Sequence, residues 1–331
     1  MRRRDFIALL GGTAAACSGA WPLAARAQQS AAPVVGVLAA GSPSGYWAEM
    51  LAAFRQGLGD AGYSEGRNVT IEARWAEDHY DRLPALAAEL IGRRPAVIAA
   101  FATAAANAAK AATTAIPIVF GTIADPVQIG LVTSLNHPSG NITGVSLLGV
   151  EVGPKLLELL HEAVPSATTG ALLVNPTNPN ATNQSKMLQA AAARLGLQLH
   201  MLNAANPGDF EPAFAKLSDL QVAALMIVQD VLFNTEVEQL GKLAVLYKIP
   251  AIYVTRSFAA AGGLMAYAAN YRDGYRQVGI YTGRILKGEK PSDLPVIQAV
   301  KFDLVINLKT AKALGLNLPL PLLGRADEVI E

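Results

Sequence analysis

Six residues offer the most obvious chemistry. Gly57-Leu58-Gly59-Asp60-Ala61-Gly62 has the G-x-G-x-x-G spacing that cradles a dinucleotide pyrophosphate. That chemistry needs the glycines between a strand end and a helix start. Nucleophilic catalysis has little support. Gly144-Val145-Ser146 runs into Leu147-Leu148, so the sharp turn of G-x-S-x-G is not completed. Phosphate transfer would need a G-K-[ST] loop, and none is present. His79, His137, His161 and His200 lie far apart, without the spacing of zinc ligands. Asp209 with Glu211, and Glu236 with Glu238, are placed to start helices, where negative charge suits the macrodipole.

The elements around these residues follow a regular plan. Val34 to Gly41 reads as a short buried strand. Ser42-Pro43-Ser44-Gly45 turns the chain into a helix over Tyr46 to Leu58, with Met50, Leu51, Phe54 and Leu58 on one face. The six-residue motif therefore ends a helix, and Gly59 or Gly62 reads as its left-handed stop. Strand Val69–Trp75, helix Asp81–Arg93, strand Ala96–Phe101, helix Thr103–Thr113 and strand Pro117–Phe120 continue the alternation. A second series follows: strand Thr169–Val174, helix Ala181–Leu195, strand Gln198–Leu202, helix Asp209–Leu220, strand Ala223–Val228, helix Asn234–Tyr247 and strand Ala251–Thr255. The tail adds a helix over Asp273–Lys287, a strand over Lys301–Ile306 and a helix over Thr310–Leu314, and is expected to recross between lobes. The class is α/β, with two Rossmann-like parallel-sheet lobes joined by a hinge. The joint is placed at Asn141–Val152. Lobe 1 takes residues 33–146 and about 263–290; lobe 2 takes 147–262 and about 291–331.

Open α/β sheets bind ligands beyond the C-terminal ends of their strands. The polar groups there are Ser42 and Ser44, Thr103, and Thr122 with Asp125 in the first lobe. In the second they are Asn175, Thr177 and Asn178, then Gln229 and Asp230, then Thr255, Arg256 and Ser257. Ser and Thr at helix starts serve as caps, and the same geometry offers backbone N–H groups to a carboxylate. Asp230 ends an apolar strand; it suits a ligand cation and a helix N-cap equally. Tyr46, Trp47 and Phe101 suit an aromatic pocket, and Trp47 and Phe101 suit a core as well.

The chain has 331 residues, 52% hydrophobic and 16% charged, enough for two cores of ordinary domain size. Residues 1–27 read as an export signal: Arg2-Arg3-Arg4, an apolar stretch diluted by Gly and Ala, and Ala25-Arg26-Ala27. Arg3-Arg4-x-Phe6-Ile7 and Arg26 favour the twin-arginine route. Removal of this segment takes four arginines and one aspartate and moves the net charge from +1 to −2. It also takes Cys17, the single cysteine, so disulfides and thiolate catalysis drop out of the mature chain. Without a Lys/Arg block, nucleic acid is not an expected partner, and no later stretch is long enough to span a membrane.

Several blocks resemble the ABC transporter substrate-binding protein family that includes tryptophan- and tyrosine-binding members. They are Asp125-Pro126-Val127, Gly130-Leu131-Val132, Pro138 to Ser146 (PSGNITGVS), Ala261 to Tyr267 (AGGLMAY), Leu304 to Leu316 (LVINLKTAKALGL) and Arg325 to Glu331 (RADEVIE). Phe54 to Leu58 and Gly62 to Asn68 fit as well, so the glycine motif lies inside an ordinary block of the family. The resemblance implies a type I periplasmic-binding-protein fold whose lobes close on a small ligand. The implied ligand is an amino acid, aromatic or branched, or a related carboxylate. It implies no catalysis and no cofactor, a periplasmic monomer, and an ABC permease with its ATPase as partners. Asp230 takes the place of the amine-binding carboxylate, and Ser42 and Thr103 those of carboxylate-side donors. The chain departs at Asp230-Val231-Leu232, where amino-acid-binding members tend to have D-N-T. The other function in keeping with this cleft is a sensory protein that presents its bound form to a receptor kinase. An exported α/β enzyme is the third, with no nucleophile–base pair to motivate it.

Overall fold

The computed structural model describes residues 32–150, 152–298 and 301–331. The export-signal reading of residues 1–27, with Cys17, lies outside the described residues. Residues Pro33–Glu331 form one compact unit.

The unit is built on two sheets. The first is entirely parallel, and its strands are β1 (Val34–Ala39), β2 (Thr70–Trp75), β3 (Val97–Phe101), β4 (Ile118–Thr122), β5 (Ile142–Ser146) and β11 (Ile297–Gln298). Their spatial order is β11-β5-β4-β3-β1-β2. The helices α1 (Gly45–Asp60) and α10 (Tyr271–Leu286) pack together, as do α2 (Leu83–Gly92) and α3 (Thr103–Ala112). The central strands are short and mostly Val, Ile, Ala, Phe and Gly, with every residue of β3, β4 and β5 buried. That is the composition of a sheet covered on both faces.

The second sheet contains β6 (Thr169–Val174), β7 (Gln198–Asn203), β8 (Ala224–Ile227), β9 (Ala251–Tyr253), β10 (Met265–Ala269), β12 (Phe302–Asn307) and β13 (Glu328–Ile330). Its order is β13-β12-β10-β9-β8-β6-β7, and β12 runs antiparallel to β10. Helices α4 (Gly153–Ala163), α5 (Ala181–Arg194), α6 (Phe210–Asp219), α7 (Val231–Thr235), α8 (Val237–Leu246) and α9 (Arg256–Ala260) belong to this half.

Sheet membership moves the expected boundaries. Residues 142–146, the end of the first segment expected for lobe 1, are β5, an inner strand of the first sheet, so the joint expected over Asn141–Val152 narrows to the residues after Ser146. Gly144 allows this, because a Cβ there would fall onto the Phe120 carbonyl oxygen of β4. β10 belongs to the second sheet, so the return crossing lies between Ala269 and Tyr271 and not near 263. β11 stays in the first sheet, so the chain crosses a third time beyond Gln298 and not near 291. The helix expected over Asn234–Tyr247 is two helices, α7 and α8, meeting at Glu236.

The glycine motif is the end of α1. Gly57 faces α10, where a Cβ would fall onto the Arg276 carbonyl oxygen; opposite it, a Cβ on Gly279 would strike the Phe54 carbonyl oxygen. The two helices therefore touch backbone to backbone. Asp60 bonds Arg276 of α10 at 2.8 Å. Gly62, with φ of +91°, takes the left-handed position after the helix, whereas Gly59 is helical. Gly57→Ala is expected to cost about 2–3 kcal/mol of stability. Gly59→Ala, which meets nothing within 4 Å, should be neutral or gain up to about 1 kcal/mol. Denaturant unfolding of the two variants measures the contrast.

Candidate functional site

The strand orders determine where the site lies. In the first sheet the order 2-1-3 makes β1 and β3 the point where connections leave in opposite directions; in the second, β6 and β8 play that part. A crevice opens beyond such strands, and the two crevices face each other. The first half contributes Tyr46 and Trp47 after β1, Ala102 to Ala104 after β3, and Ile123 after β4. The second contributes Asn178 to Asn180 after β6 and Gln229 to Val231 with Asn234 after β8. Tyr80, Tyr271 and Tyr275 complete the lining of a cavity between the two halves.

One wall is an aromatic chain. Tyr46 meets Trp47 edge-on at 5.1 Å and Tyr271 at 6.4 Å; Trp47 meets Tyr275 at 6.2 Å. Phe101 is fully buried and stands behind Tyr275 at 4.6 Å, so it supports the wall without lining it. The Trp47 indole N–H has no hydrogen-bond partner, although the residue is 2% exposed.

Beside this wall, α3 begins without a side-chain cap, because its N-cap is Ala102. Ala102 has φ of +78° and ψ of 157°, a conformation close to glycine-only. The first-turn N–H groups of a helix lack internal partners, and Thr103 and Ala104 line the cavity. The Thr103 hydroxyl is 2.7 Å from that of Thr122, which accepts the Ala124 N–H at 3.2 Å.

The opposite wall is organised by Asp230, 2% exposed. Its Oδ1 accepts from Asn175 Nδ2 at 3.0 Å and the Leu232 N–H at 2.9 Å. Its Oδ2 accepts from Tyr80 Oη at 2.7 Å and Asn178 Nδ2 at 2.7 Å. Burial pushes this carboxyl above the usual range, against those donors, which pull it down. Asp230 is thus the N-cap of α7, and every group it bonds is neutral. Val231 packs into the core of the first half, and Leu232 into that of the second. Apolar residues at these two positions are accounted for by that packing.

Bonds from both halves meet across the cavity. Tyr80 Oη donates to Asp230, Gln229 Nε2 donates to Tyr271 Oη at 2.9 Å, and Thr235 Oγ1 donates to Asp78 Oδ1 at 3.0 Å. Asp78 also accepts from Ser42 at 3.2 Å. The loop carrying Asp78 and Tyr80 is pinned to the end of β1 through Glu77 N–H to Gly41 O and Asp78 N–H to Ala40 O.

Of the residues selected from sequence, Tyr46, Trp47, Thr103, Asn178, Gln229 and Asp230 line this cavity. Asn175 holds Asp230, Thr122 holds Thr103, and Ser42 holds Asp78. Ser44 is exposed before α1 and makes no capping bond. Asp125 folds its own turn, accepting from Val127 and Gln128 N–H groups. Thr255 and Ser257 line a separate, open cleft with Glu49, Arg272 and Asp303. Asp78, Tyr80, Tyr271 and Tyr275 were not selected. The loop after β2 occupies a strand end like the others, and that was the signal available for Asp78 and Tyr80.

The family model for an ABC transporter substrate binding protein matches residues 44–330. The chain belongs to the ABC transporter substrate-binding protein family. Members are binding proteins, and this substrate-binding protein is not an enzyme. The "Tyrosine-binding protein" of Clostridioides difficile (strain R20291) is 27% identical over 265 residues, 80% of this chain and 76% of that one. A conserved domain protein from Vibrio cholerae is 28% identical with a TM-score of 0.82, over 90% of this chain and 99% of that one. A Streptococcus protein in complex with L-Trp is 24% identical with a TM-score of 0.79 over the same shares. The ligand-free, open structure of a Clostridium difficile substrate-binding protein with adhesive properties scores 0.62 at 25% identity, again over 90% and 99%.

Burial raises the Asp78 carboxyl to about 6; Thr235 and Ser42 pull it down, and Asp230 and Glu236 push it further up. A carboxyl raised on folding binds more protons folded than unfolded, so its contribution falls as pH rises from 3.8 to about 6. Asp78→Asn is therefore expected to melt higher than the native chain at about pH 7.5 and to lose that advantage toward about pH 4. Calorimetry at both pH values tests this; a pH-independent difference would count against it.

Proposed function

We propose that this chain is the periplasmic solute-binding component of an ABC importer. It captures a small aromatic solute, an amino acid or a related carboxylate, between two halves that close on it. The observation that carries this reading is the cavity where the facing switch points meet. Aromatic side chains line one wall, the uncapped start of α3 offers N–H groups to an oxyanion, and Asp230 anchors the other wall. Pockets for small molecules combine apolar walls with a few placed polar groups in this way. The named ligand of the tyrosine-binding relative supports an aromatic occupant. Export through the N-terminal segment would place the protein beside an inner-membrane permease and its ATPase, to which the closed form is handed as a monomer.

A solute that fills this cavity must touch the Trp47 ring. Calorimetric titration with aromatic amino acids and their related acids should find at least one that binds and raises the melting temperature. Its binding should change the tryptophan emission of Trp75→Phe as it does that of the native chain, and leave the emission of Trp47→Phe unaltered. A panel with no binder, or a signal carried by Trp75, would remove the reading.

A further inference from the structure

Asp230 has no acceptor capacity left. A carboxylate presents about four lone-pair sites, and four protein donors occupy them. Asn175 and Asn178 come from the loop after β6, and the Leu232 N–H from the first turn of α7. The fourth, Tyr80 Oη, comes from the opposite half and closes the set at 2.7 Å. An ammonium group brought to this carboxylate would displace one of these donors and strand it, unpaired, in a shut cavity. At the other wall the unmet groups are donors. α3 starts on an alanine that cannot cap it, and its first residues Thr103 and Ala104 line the cavity; two further buried atoms without a partner, Trp47 Nε1 and Gln229 Oε1, lie against Gly41 and Gly149. That wall calls for an acceptor oxygen.

We infer that the occupant is an aromatic solute with an acceptor oxygen group and no ammonium, and that Tyr80 is the residue that excludes the ammonium. This rests on the reading of the cavity as the solute site, and it selects among the solutes allowed there. Tyr80 is well placed for the task. It reaches Asp230 only when the halves meet, so it checks the ligand at the moment of closure. Recognition by exclusion uses a difference in desolvation: a buried donor left unpaired costs more than a hydrogen bond to solvent is worth.

The test compares three probes on the full chain by calorimetry: L-tyrosine, its deaminated acid, and the amide of that acid. The acid or the amide is expected to bind about ten-fold or more tightly than L-tyrosine. Whichever of the two binds better tells whether the oxygen group is a carboxylate or neutral. Tyr80→Phe frees one site on Asp230, so L-tyrosine should gain on the deaminated probes by several-fold, with a melting curve confirming that the variant folds. The inference is overturned if L-tyrosine binds the native chain as tightly as the deaminated probes, or if Tyr80→Phe leaves the ratio unchanged. If none of the three binds while another aromatic solute does, the selectivity rule fails and the cavity reading stands. If no aromatic solute binds, both fall together.

Discussion

A carboxylate buried without a cation must be held by neutral donors or it will not stay ionised. Asp230 is such a group, and much of the site follows from the need to satisfy it. Asn175 and Asn178 are themselves fixed by local turns: Asn175 Oδ1 accepts from Thr177, and Asn178 Oδ1 from the Asn180 N–H. The Asp230 N–H donates to Tyr253 Oη, which in turn donates to Asn234 Oδ1. One wall of the cavity is thus a connected polar network rather than a set of separate side chains. Its fourth donor lies across the cavity, which makes the satisfaction of Asp230 depend on the position of the other half.

The two walls divide the work. The first half brings aromatic surface, placed through the α1 and α10 contact, and the uncapped start of α3. Tyr46 and Trp47 stand at the start of α1, Tyr271 and Tyr275 at the start of α10, and the helices approach closely through Gly57 and Gly279. Loss of that approach would spread the aromatic wall. The second half brings amides and a carboxylate on the loops after β6 and β8. The strained backbone of Ala102 sits where the two meet, at a cost on the order of 1–3 kcal/mol that the surrounding strands must offset.

Much of this was legible from residue pattern. Short apolar strands alternating with helical spacing gave the α/β plan, and the position of the glycine motif after a helix removed the nucleotide reading. The strand-end rule found Thr103, Asn178 and Asp230, because it depends only on where strands stop. It selected Ser44, Asp125, Thr255 and Ser257 by the same rule, and the structure places none of them in the cavity, since a strand end says nothing about which neighbouring loop it faces. The aromatic pair on α10 was hidden for a different reason. Tyr271 and Tyr275 reach the site because the chain crosses back to the first half after β10, and local periodicity carries no record of which sheet a helix covers. The β5 strand was hidden because it follows directly on the turn His137-Pro138-Ser139-Gly140, and its short run of Thr, Gly and Ser reads as a joint there.

Three crossings between the sheets also govern how such a chain can assemble. The first sheet obtains its last strand and the partner of α1 only from residues beyond Ala269, after nearly all of the second sheet has been made. Until then the bare glycine face of α1 has nothing to pack against. Neither half is a contiguous foldable segment during synthesis, so the two cores mature late and together. The ligand cavity is correspondingly among the last features to form, and an incompletely made chain cannot present it.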